Sequence, residues 1–182
     1  MKIRNIAKGC AALLGLAAFA SAALPASAAP LQPPDSDAMV AGYQIIQFDL
    51  KECMAITVNA NRTVNGTGVL SPDIRKIANK MCNDARAFQP KLAALAASKD
   101  FQLPDYLPYM LTARYAALVR NQNGNLGQQY LDDQISSHED ALAVFQEEAA
   151  TGNDPDVKAA VTAVIPTVQE NLDLLKKAAG TQ

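Results

Sequence analysis

Four long alanine-rich segments and one short one fill the chain between Ser36 and Ala179, separated by clusters of Asn, Gly and Pro, with strand-like alternation nearly absent. Apolar residues in the long segments recur at steps of three and four, the spacing of one helix face, and alanine carries the smallest cost of any residue in a helix interior. A chain patterned this way buries its apolar faces only by packing helix against helix. The expected helices cover 36–59, 72–99, 109–120, 126–150 and 156–179. Ser71-Pro72-Asp73 supplies a cap, a first-turn proline and an acid at the positive end of the helix dipole. Gly152 ends one helix and Asp154-Pro155 starts the next. Pro90 and Pro166 fall inside helices and predict bends there.

Four long helices with one short one point to an all-α fold, a four-helix bundle. The long connection between the second and third long helices, "DFQLPDYLP" plus the short helix, favours a ferritin-like crossover over simple up-and-down topology.

The first 28 residues read as an export signal. Lys2, Arg4 and Lys8 precede an Ala/Leu-rich run, and Ala26-Ser27-Ala28 offers small residues for cleavage. Cys10 leaves with the signal. Residues 29–35 form a Pro-rich extended arm, and 36–182 form the bundle domain. Of 16 Lys and Arg, the three in the signal are lost, leaving 13 against 18 acids and a net charge of −5. That balance disfavours nucleic acid as a partner. No apolar stretch in the mature chain is long enough to span a bilayer, so a periplasmic address follows.

Stepping along each long helix by threes and fours yields seams that are apolar except at three positions: Asp84 in the second, His138 in the third and Asn171 in the fourth. A buried polar group without a partner costs about 1–3 kcal/mol, so these three are expected to meet, with Asp84 accepting from a ring N–H of His138. Such a cluster either sets the register between helices or forms a small-ligand or metal site. Against metal stands the ligand count: ferritin-like carboxylate sites use Glu-x-x-His, and here Ile135 stands three residues before His138.

Cys53 and Cys82 lie on consecutive helices at similar depths from the loop between them, and in an oxidising compartment they are expected to form a disulfide. "NRT" and "NGT" match glycosylation acceptors but read as loop chemistry in a bacterial-looking export context. Tyr106, Tyr109 and Tyr115 near Met110 line a possible groove, although packing of the short helix accounts for them more simply. Ser136 and Ser137 sit mid-helix, which is no place for a catalytic serine.

The run "YLDDQISSHEDALAVFQEEAATGNDPDVKAAVTAVIPTVQENLDLL", with its "HEDALAVF", "GNDPDVK" and "IPTV" pieces, and "MCNDARAFQPKLAALA" before it, resemble the bacterial exported family catalogued as domain of unknown function 4142. The resemblance spans most of 36–179 and implies a ferritin-like fold and an exported protein, with no established activity. The family commonly has Asp-His where this chain has Asp84-Ala85, a histidine where it has Asn171, and a glutamate that falls near Gln47. Any metal site carried by those positions has lost ligands here. The resulting expectation is a non-enzymatic protein that binds a small ligand or an envelope partner without a cofactor; the alternative is a metal-binding or redox protein centred on Asp84 and His138.

Overall fold

The computed structural model describes residues 30–59, 70–121 and 125–180. The segment expected to be an export signal, its expected cleavage site and both "NRT" and "NGT" lie outside them. The described residues form five helices and no strand: α1 (Asp35–Asn59), α2 (Pro72–Ser98), α3 (Tyr109–Arg120), α4 (Leu126–Thr151) and α5 (Pro155–Ala179).

Local chemistry marks the helix starts. Ser71 Oγ accepts from the Asp73 amide at 3.2 Å, and Asp154 Oδ1 accepts from the amides of Asp156 and Val157 at 3.0 and 3.1 Å, with Pro72 and Pro155 in the first turns. Each cap satisfies amides that have no partner inside the helix. α2 and α5 remain helical through Pro90 and Pro166. The α4–α5 turn needs a glycine for room: a Cβ on Gly152 would collide with the carboxyl of Glu148.

α1 packs beside α2 and α4, and α5 packs beside the same two helices, while α3 lies against α1 and α4. Cys53 on α1 meets Cys82 on α2, and Gly42 faces Leu92, so α1 and α2 run antiparallel. Lys80 reaches Asn171 and Lys99 reaches Asp154 and Asp156, which sets α2 antiparallel to α5. Gly127 at the start of α4 lies against Ile74 at the start of α2, so these two share a direction. The chain therefore leaves α2 at one end and enters α4 at the other, with α3 in the connection.

Asp35, placed by sequence in the extended arm, is instead the first residue of α1 and is buried. Its Oδ1 accepts from the amides of Asn153 and Asp154, both at 2.9 Å. This ties the start of α1 to the α4–α5 turn. Beside it, burial and the neighbouring Asp35 push the Glu148 carboxyl up to about 7.

The interior holds two apolar cores. One contains Met39, Ile45, Ile46, Phe145, Val157 and Val161; the other contains Ile56, Ile74, Met81, Leu118, Tyr130 and Leu131. Cys53 and Cys82 stand at disulfide distance in the second core, their Cα atoms 5.9 Å apart. Among the described residues no helix is long and apolar enough to cross a membrane.

Candidate ligand site between two apolar cores

Between the cores every long helix contributes polar side chains: Asp49 and Glu52 from α1, Lys80 and Asp84 from α2, Gln134 and His138 from α4, Asn171 from α5. Two networks result. In the first, Lys80 Nζ donates to Asp84 Oδ2 at 2.9 Å and to Asn171 Oδ1 at 2.8 Å, and Asn171 Nδ2 donates to Asp84 Oδ2 at 3.1 Å. Glu170 Oε2 also lies 3.2 Å from Lys80 Nζ. Burial works to lower the Lys80 pKa, but Asp84 and Glu170 override it and raise the value.

The second network is deeper. Gln134 Nε2 donates to Glu52 Oε2 at 3.1 Å, and both residues are fully buried. Burial lifts the Glu52 carboxyl to about 9, with Gln134 acting in the opposite sense and Asp133 and Asp49 adding to the rise. Asp49 is raised well above its ordinary value for the same leading reason, with Gln134 again acting in the opposite sense and the Asp84 charge adding to the rise. Desolvation disfavours the charged form of each acid, and Glu52 is neutral at pH 7.

His138 does not bond to Asp84, contrary to the expectation from the seams. Its Nδ1 donates to the Gln134 backbone carbonyl at 3.0 Å, one turn back in its own helix. A carbonyl only accepts, so the proton sits on Nδ1 and Nε2 carries the lone pair. Nε2 points toward Asp49 Oδ2 at 4.0 Å, beyond hydrogen-bond range. Burial lowers the His138 pKa to about 4, which keeps the ring neutral at pH 7. The structure thus joins Asp84 directly to Asn171, and sets His138 opposite an acid that the seams did not include.

Asp49, Asp84, His138 and Asn171 share a further property: all four line one cavity of about 270 Å³. Its remaining buried walls are apolar, running from Ile46, Ala85 and Val168 near the polar residues to Ala38, Leu95 and Val157 at the far end. Along α1 the lining runs from Ala38 to Asp49, about 16 Å at the helical rise. The buried polar groups are confined to one end of the slot. Lys91, Ala160 and Ala163 line it yet are solvent-exposed, which marks the mouth between α2 and α5.

Among the described residues no three His, Cys, Asp or Glu side chains are grouped to hold a metal ion. Tyr106, Tyr109 and Met110 are 73, 82 and 61% exposed, so packing of α3 does not account for them as expected. Tyr115 is partly buried, with Lys51 Nζ 5.5 Å from its ring centre.

The family described as Domain of unknown function (DUF4142) matches residues 67–178. Among curated proteins none matches this chain. A crystal structure of a DUF305 fragment from Deinococcus radiodurans is similar in fold, with a TM-score of 0.68 over 85% of this chain and 100% of that one, at 14% sequence identity.

Proposed function

This chain belongs to the DUF4142 family, and from that premise we propose that it is an exported periplasmic protein, folded as a ferritin-like four-helix bundle, that binds a small ligand between its helices and is not an enzyme. α1, α2, α4 and α5 are the four members of the bundle and α3 is the crossover. The cleavable basic and apolar segment before Ala29 supports the address, as does the cysteine pair in an oxidising compartment.

The observation that carries the binding reading is the cavity itself. Sites for small molecules are concave and mostly apolar, with a few polar groups that fix orientation, and between bundle helices is a common place for them. The 270 Å³ slot with Asp49, His138, Asp84 and Asn171 at one end has that form. An engineered apolar cavity of about 150 Å³ binds benzene, so a slot of this size has room for a ligand. Two positions where the family resemblance implies histidines are here Ala85 and Asn171, and both line the slot. Those substitutions favour an organic occupant over a metal.

Benzene is the test probe. A species that binds only the folded state stabilises it in proportion to its occupancy. Benzene-saturated buffer is expected to raise the Tm of the mature protein, and Ala163→Phe at the mouth is expected to abolish that rise while leaving the protein folded. An unchanged Tm, or an equal rise in the blocked variant, defeats the binding reading.

A further inference from the structure

Acceptors dominate the unpaired capacity of the cavity's polar end. Asp49 is buried and its Oδ1 has no hydrogen-bond partner among the described residues. His138 presents the Nε2 lone pair, because Nδ1 is committed to the Gln134 carbonyl. Asn171 commits one of its two amide hydrogens to Asp84 and one carbonyl lone pair to Lys80, so it offers a donor and an acceptor in equal measure. Of the ammonium groups near the slot, Lys80 is already held by Asp84, Glu170 and Asn171, and Lys91 stands at the exposed mouth over the Phe88 ring.

The spacing is as informative as the chemistry. Asp49 Oδ2 and His138 Nε2 are 4.0 Å apart, too far to bond each other. A donor atom on the cavity side can sit about 2.9 Å from both at once. A hydroxyl has one hydrogen to give and satisfies only one of the two; a primary ammonium has three and satisfies both. The charges agree. Around this end Asp84 on α2 and Glu170 on α5 stand against Lys80 on α2 and a neutral His138 on α4, and Asp49 on α1 adds a carboxyl that a cation would hold ionised.

We propose that the slot binds a narrow, unbranched apolar chain bearing a primary ammonium group, the head seated between Asp49 and His138 and the chain lying along the apolar walls toward Ala38 and Val157. The size fits. At packing densities between that of a protein interior and that of the benzene-filled cavity, 270 Å³ accommodates about 150–200 Å³ of ligand atoms, the bulk of a chain of roughly eight to ten carbons. Buried acids attract such a head because an unpaired buried carboxylate is costlier than a paired one. The ammonium arrives already protonated, and the pair that forms is Asp49 carboxylate with ammonium, any proton that burial holds on Asp49 leaving to solvent.

This inference rests on the binding reading above, and titration calorimetry at pH 7 with octylamine, octanol and octanoate separates the two. Octylamine is expected to bind about tenfold or more tightly than octanol, the scale of one hydrogen bond to a charged group. Asp49→Asn, which keeps the side-chain shape, is expected to bring octylamine down to the level of octanol. Equal binding of amine and alcohol overturns the head-group assignment and leaves the binding reading standing. Preference for octanoate overturns it too, and moves the head to Lys91 at the mouth. If no chain binds although benzene raises the Tm, the ligand class is wrong; if neither acts, both readings fall.

Discussion

Glu52 and His138 belong to the same polar layer and respond to pH in opposite senses. Glu52 has its folded pKa raised to about 9, so the folded chain keeps a proton that the unfolded chain has released. Its contribution to stability is complete below about 4.5 and declines as pH rises toward 9, by up to about 1.4 kcal/mol per unit. His138, lowered to about 4, contributes fully above 6.5 and loses that contribution as pH falls toward 4. Glu148, raised to about 7, adds a decline that is finished by that pH. Between pH 7 and 9 Glu52 acts without opposition from His138. The Tm of the protein is therefore expected to fall across that window, and Glu52→Gln is expected to flatten the fall substantially; an equally steep fall in the variant contradicts the assignment. Neither acid was legible in the sequence as a site residue. A seam stepped by threes and fours selects Leu50 and Cys53 on α1, and Asp49 and Glu52 each stand one residue earlier.

That omission has its cause at the scale of the element. α1 is packed by α2, α4 and α3, so its buried surface covers far more than one stripe: Ile45, Ile46, Phe48, Asp49, Glu52 and Cys53 are all buried. The off-seam apolar residues Ile45 and Phe48 were the available sign that this helix is enclosed. A helix apolar round most of its circumference is an interior one, and its polar residues then face interior space as well. The start of α1 is secured from outside the helix. Asp35→Ala removes the acceptor for the amides of Asn153 and Asp154 and is expected to cost about 1–3 kcal/mol. Hydrogen exchange checks this directly, with faster exchange expected at those two amides and in the first turn of α1, and unchanged exchange in α3.

For the whole molecule, the Cys53–Cys82 link closes a loop of 29 residues within one of the two cores. Constraining the unfolded chain over that length is worth about 3–4 kcal/mol, so reduction is expected to lower the denaturation midpoint in urea by that equivalent. A midpoint indifferent to reductant removes the crosslink from the stability account. The helices, their caps and the breaks between them followed from local rules: periodicity, Ser71 and Asp154 as caps, Pro72 and Pro155 in the first turns, and Asn- and Gly-rich breaks. These are properties of residues a few positions apart, and no tertiary contact is needed to read them. Which side chains meet across the interior was decided otherwise. Lys80, read as neither core nor site, bridges Asp84 and Asn171; His138 turns to its own helix backbone and faces Asp49 across a gap. Those pairings depend on how far each helix is rotated about its axis against three neighbours, and on a cavity that exists only once they have packed. Periodicity specifies which face is apolar, and leaves that rotation to the packing.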